Sequence, residues 1–187
     1  MINNQREAQM LALFIIDELP DEVTSSELRS ILIACGELDA MEIDQYIENL
    51  EKASQIYTAD CDGEITDSSK TENGKGENYI GITDLGAELV KTLEHRKSLC
   101  RSAINRAMRE YKRLTCGIDY KISLEQAEGG AYVKFKMLAG GKLYFSTSLF
   151  FAKSREALEV YNRMDDDPES FYNGFLTVAT GSIDYLM

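Results

Sequence analysis

The sequence holds few of the side chains that form metal or redox sites. It has one histidine and four cysteines, and no two cysteines stand in a CxxC pair. Zinc sites and dithiol redox centres need Cys or His residues at close, regular spacing. We therefore expect neither a metal nor a cofactor. The four thiols are expected to be reduced and mostly structural, because free cysteine is often simply buried.

A long apolar run is also missing. No segment approaches the roughly 18 consecutive apolar residues that a membrane-spanning helix requires, and the opening MINNQREAQM lacks the basic start and apolar core of a signal peptide. With 44% hydrophobic and 28% charged residues, the 187-residue chain has the composition of a folded protein of one or two domains. We expect a cytoplasmic protein without membrane contact.

Basic side chains are scarce in the first half of the chain. The whole chain carries a formal net charge of −12, and residues 1–94 hold 6 basic and 21 acidic side chains. Residues 95–113 reverse this balance, with 7 basic side chains and 1 acidic side chain. Because an acidic surface repels nucleic acid, DNA binding would have to involve the basic segment 95–113 or a dimer.

Three helices are predicted within the first 53 residues, because apolar residues recur there at intervals of three and four. The first covers residues 4–19. The second follows candidate N-caps at 24–26 and ends at Gly36, and the third begins with a capping box formed by Asp39 and Glu42. A short second helix between two others is typical of a helix-turn-helix.

A hairpin with a long tip is predicted next. Two β-prone segments, 56–59 and 79–82, flank a polar stretch rich in Gly, Ser, Asp and Lys. Thr83 is then placed to cap a fourth helix, in which apolar residues again recur at helical spacing.

This order of elements resembles the winged helix-turn-helix of PadR- and MarR-type transcription regulators. The segment 80–86, IGITDLG, is similar to their strand-to-helix signature, aromatic-x-aliphatic-Thr-x-x-Gly, with Ile80 at the aromatic position. The segments 44–50, DQYIENL, and 167–172, DPESFY, are similar to segments of a bacterial winged-helix family of unknown function. That likeness extends over nearly the whole chain, and it implies a winged helix-turn-helix domain over residues 1–95.

The rest of the chain predicts a connecting helix and a second domain. Residues 96–116 form a basic helix with a broad apolar side, which is a candidate for dimerisation. In the domain 117–187, three alternating segments separated by Gly-Gly pairs predict a three-stranded antiparallel meander. Two C-terminal helices, capped at Ser154 and Asp167, are expected to cover one face of it. The predicted fold class is α+β.

The third helix of a helix-turn-helix lies in the major groove, where Gln or Asn can pair with adenine. Gln45 and Asn49 stand one turn apart on this helix, but Asp44 and Glu48 would repel phosphates. The candidate DNA-binding residues are Gln45, Asn49, Lys52, Lys70, Lys75, Arg96, Lys97 and Arg101. The alternatives are an ordinary solvated face for the third helix, and a basic segment that pairs with acidic residues of the same chain or of a second subunit.

Two acidic stretches do not fit a metal site. The stretch 60–65, DCDGEI, looks like part of a calcium loop, but the full spacing would put Thr58 at the first ligand position and Ser69 at the last. The stretch 165–167 is better explained as a helix-ending turn that caps the next helix. No spacing places a nucleophile beside a base or forms a phosphate loop, so we expect no enzymatic activity.

Two functions follow as hypotheses. The first is a DNA-binding transcription regulator that works as a homodimer, with the C-terminal domain used for dimerisation or for sensing an effector. The alternative is an acidic winged-helix interaction module that binds a basic protein partner and no DNA. A third hypothesis places a small ligand between the second sheet and the last helices, in a pocket lined by aromatic residues such as Phe135, Phe145, Phe151 or Tyr161.

Overall fold

The computed structural model describes residues 4–59 and 78–181. The chain divides into two compact units, Met1–Tyr111 and Lys112–Met187. Each unit contains one three-stranded antiparallel sheet and several helices. The predicted α+β class is therefore confirmed, as are the second meander and the two C-terminal helices.

Three helices open the first unit: α1 (Gln5–Glu18), α2 (Ser25–Ala34) and α3 (Ile43–Lys52). Every residue of α1 from 11 to 16 is buried, so α1 is the central helix of this unit. At the start of α2, Thr24 and Glu27 form the reciprocal hydrogen bonds of a capping box. All three predicted helices are present, and their bounds lie close to the predicted ones.

The start of α3 differs from the prediction. Glu42 is its N-cap, and Glu42 makes no side-chain capping hydrogen bond. Asp39 instead closes a turn before the helix: its Oδ1 accepts from the Met41 N–H at 2.9 Å, and its carbonyl accepts from the Glu42 N–H at 3.0 Å. An aspartate side chain readily bonds the backbone two residues on, and here this turn replaces the predicted capping box.

The first sheet contains β1 (Val23–Thr24), β2 (Ile56–Ala59) and β3 (Tyr79–Ile82), in the order β1-β3-β2. The predicted hairpin is confirmed, with Ile56 opposite Ile82 and Ala59 opposite Tyr79. The third strand, β1, was not predicted, because two residues are too short to show alternation.

The turn from β3 into α4 (Asp84–Thr92) explains why the IGITDLG segment has threonine at 83 and glycine at 86. The Thr83 hydroxyl accepts from the Gly86 N–H at 3.1 Å and donates to the Ser54 carbonyl at 2.7 Å. A Cβ atom at Gly86 would lie 2.2 Å from the Gln55 carbonyl oxygen. Thr83 therefore caps α4, and glycine is required at 86 because the backbone that precedes β2 passes so close.

The basic segment forms two helices instead of the single one predicted. They are α5 (Glu94–Leu99) and α6 (Arg101–Cys116), with the break at Cys100. The apolar side of α6 is buried at Ala103, Ile104, Ala107 and Tyr111. These four positions are therefore covered within a single chain and are not available for dimerisation, whereas Leu99 of α5 is 76% exposed.

The second unit holds β4 (Ile118–Ala127), β5 (Gly130–Ala139) and β6 (Lys142–Phe151), in the order β4-β5-β6, followed by α7 (Ser154–Asp166) and α8 (Pro168–Thr180). Alternate residues of β5 are buried together with Ala157 and Met164 of α7. The Phe171 ring of α8 lies 4.9 Å from the Phe135 ring. The two helices thus cover one face of the sheet, and Asp167 caps α8 as predicted. The predicted cap at Ser154 is wrong, because α7 begins at Ser154 and its N-cap is Lys153, which makes no side-chain capping hydrogen bond.

No helix within residues 4–59 and 78–181 is both long enough and apolar enough to cross a membrane.

Candidate functional site

The exposed face of α3 is charged. Ile43, Tyr46 and Leu50 are buried and fix the rotation of the helix. Asp44, Gln45, Glu48 and Lys52 then lie on the exposed side, and Asn49 is half-buried. We call these five residues the α3 face. It contains three of the eight predicted DNA-binding residues, and they lie together.

On the α3 face, the side chains that could read bases are already in contact with other side chains of the same face. The Gln45 amide nitrogen donates to Asn49 Oδ1 at 3.1 Å and approaches Glu48 Oε2 at 3.4 Å. The Lys52 ammonium donates to Glu48 Oε1 at 2.6 Å. The one-turn alignment of Gln45 and Asn49 is as predicted, but reading a base would require these contacts to open.

Arg29 of α2 pairs with Asp44 of α3. One guanidinium nitrogen contacts both carboxylate oxygens of Asp44, and both side chains are exposed. An exposed pair of this kind contributes little to stability. Its main effect is to hold an arginine against α3, where it balances the charge of Asp44.

The predicted wing contacts, Lys70 and Lys75, lie outside the described residues.

Lys97 of α5 points into the first unit. Its exposed fraction is 8%, and its ammonium lies 2.6 Å from Asp17 Oδ2 and 2.8 Å from Glu18 Oε1, both on α1. Burial acts to lower the pKa of Lys97, but the hydrogen bonds and charges of Asp17 and Glu18 outweigh it and raise the pKa above its ordinary value. Lys97 therefore stays charged and neutralises α1, and it does not face solvent as a phosphate contact would.

Two arginines of α6 also contact carboxylates of the first unit. Arg101 lies 3.4 Å from Glu18. Arg106 lies 3.3 Å from Glu37, and its Nε donates to the Cys35 carbonyl at 2.8 Å. Lys97, Arg101 and Arg106 thus pair with acidic residues of the same chain, as one of the alternatives from the sequence expected of the basic segment. Arg96 is exposed and forms no ion pair within the part of the chain that the structure describes.

An acidic pocket lies at the start of α3. It encloses about 440 Å³ and is lined by Asn4, Gln5, Ala8, Glu37, Asp39, Glu42 and Tyr46. The Tyr46 hydroxyl donates to Glu42, and burial together with this carboxylate raises the pKa of Tyr46 to about 12. The pocket was missed from the sequence, because its three carboxylates converge only through the turn at Asp39.

Two of the cysteines in the described part of the chain are shielded from solvent. Cys35 is buried and Cys100 is half-buried, and burial raises the pKa of both thiols. They are therefore held in the thiol form, which is the less reactive one. No group of three or more His, Cys, Asp or Glu residues could hold a metal ion in residues 4–59 or 78–181.

The aromatic residues named for ligand sensing belong to a packed core. Phe135 is fully buried, and the rings of Tyr120, Phe145 and Phe171 lie within 5.9 Å of its ring centre. Phe151 and Tyr161 pack against the same cluster. These rings hold the second sheet to its helices.

Comparison with known proteins gives no match: no family model, no curated protein and no solved structure is similar to this chain.

Proposed function

We propose that the first unit is a winged helix-turn-helix domain that binds a basic segment of a protein partner and no DNA. The order of three helices, an antiparallel hairpin and a fourth helix supports the winged-helix assignment. The α3 face and the acidic pocket are the proposed binding surface.

The observation that carries this proposal is the pairing of Lys97 with Asp17 and Glu18. DNA binding draws its affinity largely from Lys and Arg side chains that neutralise phosphates. Lys97 would have to leave two carboxylates to do so, and because both carboxylates retain some exposure, we expect this to cost about 2 kcal/mol, below the range for fully buried pairs. Arg101 and Arg106 also carry carboxylate partners. Three cations of the basic segment are therefore already paired with carboxylates of the first unit.

Charge complementarity favours a basic partner. On the α3 face, Asp44 and Glu48 are exposed, and each is balanced only by an exposed cation on the surface. A lysine or arginine of a partner can replace such an exposed cation at little cost, because surface ion pairs contribute at most about 1 kcal/mol. The pocket next to this face adds the carboxylates of Glu37, Asp39 and Glu42.

A second candidate function is DNA-binding transcription regulation by a homodimer. The observation that favours it is the alignment of Gln45 and Asn49 on the exposed side of α3. For this function, the hydrogen bond between Gln45 and Asn49 has to break so that these side chains can bond to an adenine. Arg96 would then be one of the phosphate contacts.

The test compares binding of a lysine-rich peptide to two charge-matched variants. D44N/E48Q removes both carboxylates of the α3 face, and E156Q/E159Q removes two exposed, ion-paired carboxylates of α7 in the second unit. By fluorescence anisotropy at low salt, the peptide should bind the wild type and E156Q/E159Q alike and D44N/E48Q at least about tenfold more weakly. Equal weakening by the two variants would show non-specific attraction to an acidic protein and would refute the proposed surface.

A further inference from the structure

One edge of the second sheet is open. The order β4-β5-β6 makes β6 an edge strand, which pairs with β5 from Phe151, opposite Ala131, to Lys142, opposite Ala139. In the described parts of the chain, no strand pairs with its other side. The backbone N–H and C=O groups on that side are therefore a template for one more strand.

The two edge strands of this sheet differ in how strongly their residues discourage pairing with a further strand. The other edge strand, β4, carries Asp119, Lys121 and Glu125, and charged residues of this kind discourage pairing. From 143 to 151, by contrast, β6 has no charged residue, no proline and no glycine. Four of its apolar side chains are exposed, by 36% to 70%: Leu143, Tyr144, Leu149 and Phe150.

The regular part of β6 is long enough to form a ladder. The register against β5 shifts between Met137 and Leu138, which places the irregularity near Tyr144 at the start of β6. The seven residues from 145 to 151 pair with β5 without interruption. A bulge can protect an edge, but this one leaves most of the strand regular.

We propose that β6 pairs with β6 of a second copy of this chain, antiparallel and about a two-fold axis, so that the dimer has one continuous six-stranded sheet. This inference is independent of the proposed function. The net charge of −12 makes two copies repel each other over most of their surface, and the uncharged strand is a place where they can meet without repulsion.

The sequence of β6 is compatible with pairing to itself. Residues that face each other across an antiparallel pair point to the same side of the sheet. With the axis at Thr147, Phe145 of one copy faces Leu149 of the other, and Ser146 faces Ser148. Apolar side chains then meet apolar ones on the helix-covered side, and small hydroxyls meet on the open side.

The test uses a variant that blocks the dimer without disturbing the unit. Ser146 and Ser148 lie opposite Lys136 and Lys134 of β5, so glutamates in S146E/S148E gain an opposite charge within the chain. In the dimer the same glutamates would face glutamates of the partner copy. The control is S123E, which also lies opposite Lys134 but on the β4 edge.

Sedimentation analysis at micromolar concentrations should show dimers for the wild type and S123E. S146E/S148E should have a dimer dissociation constant at least about tenfold higher, because like charges directly opposite each other are destabilising. A monomeric wild type would overturn the proposal and leave the edge to a strand of a different protein. A dimer equally strong in S146E/S148E would overturn it too.

Hydrogen exchange keeps the proposal testable if S146E/S148E fails to fold. In the wild type, amides of β6 that point away from β5 should exchange more slowly as the protein concentration rises through the dimer dissociation constant, whereas the outer amides of β4 should not change. Exchange of β6 that is independent of concentration contradicts the pairing.

Discussion

The Lys97 ammonium lies 2.6 Å from the Asp17 carboxylate, although the two residues are 80 positions apart in the sequence. This contact, with the one to Glu18, joins α5 to α1. It places a cation of the basic segment inside the first unit, between two carboxylates of α1.

Replacing Lys97 by methionine should destabilise the protein. The substitution keeps most of the side-chain volume but removes the cation shared by Asp17 and Glu18, so that only the more distant Arg101, 3.4 Å from Glu18, remains near them. Because both carboxylates retain some exposure, we expect a loss of about 2 kcal/mol in the free energy of unfolding, below the range for fully buried pairs. Urea unfolding measures it.

Lys91→Met is the control for that measurement, since Lys91 is exposed on α4. It should change the free energy of unfolding by less than about 0.5 kcal/mol. A similar effect of both substitutions would mean that the Lys97 ion pairs add no stability.

Tyr46 should make stability depend on alkaline pH. Its pKa is raised from an ordinary value of 10 to about 12 in the folded chain, so the folded state holds the phenol proton more tightly than the unfolded state. The stability that this provides is complete below pH 10 and is lost as the pH rises through about 12. Relative to Tyr46→Phe, the wild type should therefore be less stable at about pH 11 than at about pH 8.

Tyrosinate absorbance supplies a second readout for Tyr46. The difference between the wild type and Tyr46→Phe should appear near pH 12, above the titration of ordinary tyrosines. A difference that appears near pH 10 would contradict the hydrogen bond from Tyr46 to Glu42.

Gly86→Ala should be strongly destabilising. The new methyl group would lie 2.2 Å from the Gln55 carbonyl oxygen, a backbone atom that cannot swing aside. We expect a loss of about 3 kcal/mol in the free energy of unfolding. Gly174→Ala on α8 is the matched control, because nothing lies within 4 Å of the added atom. It should stabilise the helix by roughly 0.5 to 1 kcal/mol, and a loss of stability there as large as at Gly86 would refute the close contact.

Local patterns were enough to predict much of the fold. The capping residue Thr24, the pairing of 56–59 with 79–82 and the Gly-Gly turns of the second sheet all depend on neighbouring residues. Three features were missed for physical reasons. The strand β1 is only two residues long, and the break between α5 and α6 at Cys100 has no proline or glycine to mark it. The side chain of Asp39 accepts a hydrogen bond within the turn before α3 and does not cap the helix.

The candidate site was harder to predict than the fold. Nothing in the segment around Lys97 distinguishes it from its exposed neighbour Arg96, because its partners lie on α1, far away in the sequence. The alignment of Gln45 with Asn49 could be predicted, since it follows from helical spacing alone. Their hydrogen bond to each other depends on side-chain rotamers, which the spacing does not fix.

Binding of a basic protein segment, and not of DNA, by the α3 face can be tested by a parallel titration at low salt. The wild type is titrated with a lysine-rich peptide and with duplex DNA from the promoter region of its own gene. We expect the peptide to bind and the DNA to remain unbound at micromolar protein. Binding of the DNA, abolished by Asn49→Ala and retained by E156Q/E159Q, would contradict the proposed function and assign α3 to the major groove.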